Sequence, residues 1–580
     1  MESNKTILIA DIETDGFIAN KCHCLSISNL AAPTDIITYS DADGYPAIEE
    51  GLDRLIKADH TVWHNGLGYD HPTLKRLYPD YEIPFEKVID TLVLSRLHNP
   101  IQRKHSLEYW GEQLGLNKIE FDSFETFTPE MAEYCERDVL VTSKIFKHLY
   151  KSMDGFKGWE DAIEMEHKFA FVINLQYEHG FRLDVDKAVA LSAELRQEMA
   201  DIEIELQEAF PPIVTERYSE KTGKRLKDGV EVFNPGSRMQ IAQRLIDRYN
   251  YKPDTFTPTG SPRIDEGVLA KLDYPEAKLI SRYLFCQKQL SQISEGASGW
   301  LKCVTDDGYV HGKVNTIGTA TSRCSHWGPN MGQISKRDLR MREMWLPDEG
   351  HKLVGCDADA LELRMLAHDL GHFDSGAYAK ALLEGSKDDG TDVHSRTGAV
   401  LGLSNRDIVK RATYAFLYGA SNHKLGQIMA DAGKKMSGKE VRRRMEQGIT
   451  GLDKLVSIIA DRCERGYILG IDGRRVPILS PHSALNFRLQ SSGAIVMKKA
   501  LVVFHFDVAP KAGHVVNNQP ITFKYCANVH DEVQLSVQPE YAKEIGQLFA
   551  KSIEIAGTQL ELKCPVSGSY DIGDNWKETH

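Results

Sequence analysis

Between Cys526 and Val537 the chain reads CANVHDEVQLSV, and no other stretch constrains the fold as tightly. Val529, Val533, Leu535 and Val537 alternate with polar residues, which is the period of a half-buried strand. His530, Asp531 and Glu532 interrupt that alternation at its centre, where charge weakens strand pairing. A bend that divides the run into two strands, with the acids lifted out at a hairpin tip, resolves the conflict. The tip is then either a solvated turn or a metal site on a rigid sheet, and the tetrapeptide alone does not decide.

With 580 residues, the chain is long enough for several domains and more than one core. No stretch approaches the about 18 uncharged apolar residues of a membrane helix, so no membrane partner is expected. The opening MESNKTILIADIE enters a strand pattern at once and leaves no room for a signal or transit peptide, which predicts a cytoplasmic protein. The cysteines are scattered, only Cys22 and Cys24 lying close, and are read as reduced thiols. A net charge of −13 argues at first against a nucleic-acid partner. Binding depends on where the positive charges sit, however. Basic clusters at 217–227, 335–342 and 434–444 are each compatible with a solvated helix face, and together with a positively lined groove.

Residues 1–150 alternate strand-like runs (ILIADIE, HTVWHN) with helical ones (HPTLKRLY), as an α/β domain does. Long helices follow. One of them, capped by Asp184 or Asp186, ends at Pro211-Pro212, and a polar, basic loop or small hairpin fills the stretch to Asn234.

Asp11 and Glu13, two apart on a strand, point to the same face. Neighbouring carboxylates repel unless a cation neutralises them, and hard oxygen ligands suit Mg²⁺ or Mn²⁺. Asp70 follows a second strand-like run, and Tyr134 and Asp138 share a helix face at i and i+4. In this order the residues resemble the DEDD 3′–5′ exonucleases, the variety with tyrosine in Y-x-x-x-D. The resemblance implies a ribonuclease-H-like domain at 1–155. It also implies two divalent cations about 4 Å apart on Asp11, Glu13, Asp70 and Asp138. Tyr134 would orient the attacking water.

Further on, LVGCDADALELR gives a strand ending at Asp357 and then a helical pattern. In SNRDIVKRATYAFLYG, Ser404 or Asn405 caps a helix whose stripe carries Arg406, Lys410, Tyr414 and Tyr418. Basic groups at its N-terminal end suit a triphosphate, and tyrosines beyond them suit a sugar and a base. DADALELR, RDIVKRATYAFLYG and VHDE together resemble motifs A, B and C of family A DNA polymerases. The resemblance implies that Asp357 and Asp531, with the Ala358 carbonyl, hold two Mg²⁺ ions, Mn²⁺ being able to substitute, and that Glu532 is a supporting carboxylate. It assigns Arg406, Lys410 and His394 to phosphates and Glu362 to exclusion of a ribose 2′-hydroxyl. It also places Tyr414 beside the sugar, Tyr418 by the templating base, and Arg323, Gln490 and His530 at the DNA.

IDTLVLSRL, HNGLGYD, VFNPGSR and the terminal His580 are similar to the replicative polymerases of short-tailed phages, including the thioredoxin-recruiting coliphage type. The implied architecture is mixed α/β and α+β: the exonuclease domain, a thumb at 160–305, a palm at 306–370 with 488–580, and fingers at 371–487. Implied partners are primer-template DNA, deoxynucleoside triphosphates and a replicative helicase-primase, with the chain as a monomer. Only about twenty residues separate Phe210 from Val232, so the thioredoxin-binding insertion is missing and thioredoxin is not expected. Asp359 also departs from the pattern; facing the same way as Asp357, it is expected to alter metal preference. The rival readings are a catalytically dead scaffold and a single-subunit RNA polymerase. All six expected carboxylates argue against the first, and Glu362 with residues 1–155 against the second. No G-x-x-x-x-G-K-[ST] is present, which excludes a P-loop helicase.

Overall fold

The computed structural model describes residues 5–579; His580 lies outside the described residues. Near the N-terminus, strand Ile7–Thr14 is buried along its whole length at the centre of a five-stranded sheet. Cys22–Asn29 and Ala32–Tyr39 continue the sheet antiparallel on one side, and His60–Trp63 and Val88–Asp90 continue it parallel on the other. Strand alternation sorts the central side chains between two cores. Leu8, Ala10 and Ile12 enter one, while Ile7 and Ile9 enter the other beside Val139, Val141 and Ile145 of helix Pro129–Ser152. Asp11 and Glu13 are odd-numbered too, so they point toward that helix. Thr128 starts it by accepting from the Met131 N–H, with Pro129 in the first turn where its missing N–H costs nothing.

Helix Glu160–His179 ends at Gly180, whose φ of 77° a side chain would strain. Asp184 then caps Val185–Ala209 by accepting from the Lys187 N–H, and Phe210 closes it ahead of the two prolines. The expected thumb begins at residue 160, but the packing divides that range. Met165, Phe169, Val172 and Ile173 of the first helix lie in the core of the C-terminal half. A separate core gathers Ile202, Leu206, Phe233, Ile241, Ile280 and Leu284. The basic stretch between them is a small hairpin, Ile213–Thr215 paired with Gly229–Glu231, and it is largely exposed.

In the C-terminal half, a four-stranded antiparallel sheet runs in the order Phe523–Val529, Glu532–Val537, Lys352–Ala358, Gly568–Gly573. Val354 and Cys356 face a core shared with helices Ala484–Val503 and Ala542–Gln559. Leu353, on the opposite face, meets Trp345 and Trp576. The helices between residues 361 and 463 join the first of these cores, so the expected palm and fingers share one continuous interior. No helix among the described residues is long and apolar enough to cross a membrane.

Candidate active site

Two carboxylate clusters form, one on each sheet. In the first, the ligand atoms of Asp11, Glu13 and Cys135 lie within 4.8 Å of one another. Asp70 opens helix Asp70–Leu77 and Asp138 comes from helix Pro129–Ser152; all four acids are buried. Burial, then repulsion among the acids, raises Asp11 well above the carboxylate range and Glu13 to about 8. Burial and Asp90 bring Asp70 to about 7. Asp138 Oδ1 is buried with no hydrogen-bond partner. These acids and Tyr134 line a cleft of about 3080 Å³ that also meets Lys313–Ala320 of the C-terminal half.

Two residues of this cluster escaped the sequence reading. The Cys135 thiol, kept protonated by burial, donates to the Asp11 carbonyl at 3.3 Å and to its Oδ2 at 3.7 Å. Cys135 stands three before Asp138, so the helical spacing that joined Tyr134 to Asp138 also marks it. Lys118, on the loop after helix Leu107–Gln113, donates to Asp138 Oδ2 at 2.6 Å and to the Tyr134 hydroxyl at 2.9 Å. Nothing in its spacing marks it, because a long side chain on an irregular loop has no period.

The second cluster sits at the hairpin expected from VHDE. Val529 pairs with Glu532, leaving His530 and Asp531 as the two-residue tip, and His530 has a φ of 60°. Asp357 pairs with Glu532 across the sheet, and the Asp531 carbonyl accepts from the Ala358 N–H at 3.2 Å. Burial, then Asp531 and Glu532, raise Asp357 to about 7, and its Oδ1 is buried without a partner. Glu532 is not lifted out at the tip, contrary to expectation. It is the first residue of the returning strand, is buried, and accepts from Trp576 Nε1, from Gln534 Nε2 at 2.8 Å and from Arg342 Nη1 at 3.4 Å. Arg342 belongs to a cluster read as a solvated or groove-lining face, yet it is turned inward and lies 4.6 Å from the Trp576 ring.

Asp359 keeps the sheet register, its N–H donating to the Ser567 carbonyl at 3.0 Å, so it shares a face with Asp357 as expected. Its carboxylate, however, is tied to the last strand by the hydroxyls of Ser567 at 2.6 Å and Ser569 at 3.0 Å.

Asn405 caps helix Arg406–Leu417 through the N–H groups of Asp407 and Ile408. Tyr418 falls just past its end. Glu362 gathers two of the expected contacts: Arg323 donates to it at 3.1 Å and the Tyr418 hydroxyl at 3.2 Å. Burial, and then Glu362 and Asp531, raise the Tyr414 hydroxyl above its ordinary value. Lys410 is exposed, and His394 is buried with Nδ1 unpartnered. Arg406 donates to Asp392 at 2.6 Å and holds that carboxyl well below the usual range. Gln490 is half-buried on helix Ala484–Val503.

The raised acids have a thermodynamic signature. Each binds a proton in the folded chain that the unfolded chain releases, so stability falls as pH rises between the unfolded values near 4 and the folded values near 7 to 8. In EDTA, the melting temperature is therefore expected to drop between about pH 6 and 8. Mg²⁺ should restore more of it at the higher pH, where no proton competes for the oxygens. Equal Mg²⁺ stabilisation at both values in a thermal melt would contradict this.

The chain is mixed α/β, with an Asp-bearing antiparallel sheet and a capped basic helix in its C-terminal half. Residues 205–578 match DNA polymerase family A, and the chain belongs to that family. The DNA-directed DNA polymerase of Enterobacteria phage T3 is 29% identical over 99% of this chain and 100% of its own length. That of Escherichia phage T7 is 28% identical with the same coverage. The polymerase domain of Pol1 from M. smegmatis, solved in complex with DNA primer-template and dNTP, shares the fold. Its TM-score is 0.77 at 18% identity, covering 99% of this chain and 96% of that one.

Proposed function

We propose that the chain copies DNA by two-metal nucleotidyl transfer at Asp357 and Asp531 and removes mispaired 3′ ends at Asp11, Glu13, Asp70 and Asp138. Residues 1–155 are then a ribonuclease-H-like 3′–5′ exonuclease domain. Helix Glu160–His179, whose side chains enter the core of the C-terminal half, is assigned with 306–370 and 488–580 to the palm. The thumb runs from Val185 to about residue 305, and the fingers span 371–487. One observation carries the reading: two clusters of converging acids each hold a buried, unpartnered carboxylate oxygen, Asp138 Oδ1 on the helix that covers the first sheet and Asp357 Oδ1 on a strand of the second. Such donor sets fit hard divalent cations.

Mg²⁺ bound at each centre would activate the attacking oxygen and neutralise charge on the phosphate in the transition state. The chain's own groups do the rest. Arg406, Lys410 and His394 receive the triphosphate, and Arg406 exchanges Asp392 for it. Glu362 limits the sugar pocket, and its hold on Arg323 and Tyr418 ties the primer terminus to the templating position. A mispair that displaces Arg323 loosens Glu362 as well, which slows extension and favours fraying toward the cleft at Asp11. In this reading the chain works on primer-template DNA and deoxynucleotides with a replicative helicase-primase, and without thioredoxin.

A single gel tests it, using a 5′-labelled primer with a mismatched 3′ end on a longer template, in Mg²⁺. The unsubstituted chain is expected to trim and then extend once deoxynucleotides are added, while Asp11→Ala leaves the mismatch in place. A chain that binds the duplex but neither trims nor extends it is a scaffold, and the proposal fails.

A further inference from the structure

The cation among the exonuclease acids has no place in the reading so far. Lys118 lies on an irregular loop, yet its side chain reaches the centre of the first cluster. Its ammonium donates to Asp138 Oδ2 at 2.6 Å and to the Tyr134 hydroxyl at 2.9 Å, and stands 4.7 Å from the centre of that ring. Phe121 and Phe124 pack against the same ring, with centroids 5.5 Å and 6.1 Å away, so the phenol has little freedom to turn. Burial opposes the charge on Lys118, but Asp138 and Tyr134 outweigh it and keep the ammonium charged.

These contacts decide what the two partners can do. An ammonium has three donors and no acceptor. Its N–H takes a lone pair of the phenol oxygen, so the phenol proton is directed away from Lys118 and Tyr134 acts as a donor. On Asp138 it occupies Oδ2, and Oδ1 is the buried oxygen that has no partner. We propose that Lys118 is a positioning residue of the exonuclease centre, which fixes Tyr134 as a hydrogen-bond donor to the scissile phosphate or its attacking water and restricts Asp138 to meeting a divalent cation through Oδ1 alone. The inference rests on the exonuclease reading above and deepens it. It carries an opposing pair of consequences. Lys118 speeds the reaction by placing the phenol and adding positive potential, yet its charge repels the cations the cluster takes up.

The test uses the full-length chain with Lys118→Met, close in length and uncharged, and Lys118→Arg, which can bridge the same two partners. Trimming of a 5′-labelled single strand is followed in Mg²⁺. Mn²⁺ binding without DNA is followed by electron paramagnetic resonance in an Asp357→Ala/Asp531→Ala background, so that the first cluster alone is counted. Lys118→Met is expected to trim about 30-fold more slowly, the equivalent of one charge-assisted hydrogen bond. Its Mn²⁺ affinity is expected to rise about threefold or more as the repulsion disappears. Lys118→Arg should recover most of the trimming rate. Slower trimming with weaker Mn²⁺ binding would mean that Lys118 merely supports the fold and would overturn the assignment; so would trimming by Lys118→Met at the unsubstituted rate. An unsubstituted chain that trims nothing removes the exonuclease reading itself, whatever Lys118 does.

Discussion

An Asp357→Asn chain is expected to extend a matched primer about 10³-fold more slowly than the unsubstituted one, with its trimming of a single strand unchanged. The size follows from what Asp357 contributes and what asparagine keeps. The amide fills the same space at the end of strand Lys352–Ala358 and opposite Glu532, so the sheet register survives. The charge does not survive: the amide keeps one oxygen, and in place of the other it puts an NH2 that donates and cannot ligate a cation. In EDTA near pH 8, the same substitution should leave the melting temperature equal or raise it, because it removes one of the acids held in mutual repulsion. Loss of activity with retained stability separates this role from a structural one. Single-turnover extension and a thermal melt decide the matter: extension within about tenfold of normal would remove Asp357 from the reacting centre.

Strand and helix periods made much of this legible. Asp11 and Glu13 on one strand face, the hairpin after Val529, the Asn405 cap and the Asp184 cap all follow from local rules, and each is where those rules put it. What escaped depends on contacts between residues far apart in the chain. Arg342 reads as one more charge in a basic run until Glu532, on strand Glu532–Val537, and Trp576, on the turn after the last strand, close over it. Asp392 carries no mark in the sequence reading, yet it caps helix Val393–Leu401 and holds Arg406 fourteen residues on. Helix Glu160–His179 reads as the first of a series of helices, and only tertiary packing assigns it to the C-terminal core. Lys118 is the extreme case: a loop lysine with no pattern around it, placed among buried acids by the fold alone.

The same helix supports the second large effect, which concerns stability. Glu166 is fully buried and accepts from Lys498 at 2.7 and 3.0 Å and from Arg474 at 2.6 Å; Arg474 in turn grips both oxygens of Asp472. Two acids and two bases cancel, so the group is neutral inside a buried interior. Replacing Glu166 by alanine leaves Arg474 its aspartate but leaves Lys498 buried with a charge and no carboxylate. Breaking a buried pair in this way costs about 3–5 kcal/mol, whereas removing both partners costs far less. Glu166→Ala is therefore expected to lower the first unfolding midpoint by on the order of 10 °C. Glu166→Leu combined with Lys498→Met should recover most of that loss. The neighbouring residue gives the effect its reach. His167 Nε2 accepts from the Asp90 N–H at 2.9 Å, and the Asp90 carboxylate accepts from the N–H groups of Asn65 and Leu67 on the turn that leads to Asp70. Two successive residues of one helix thus join the sheet of the first cluster to the body that carries the second. If the double variant melts as low as the single one, the tetrad stabilises through shape rather than charge balance, and the electrostatic account is wrong.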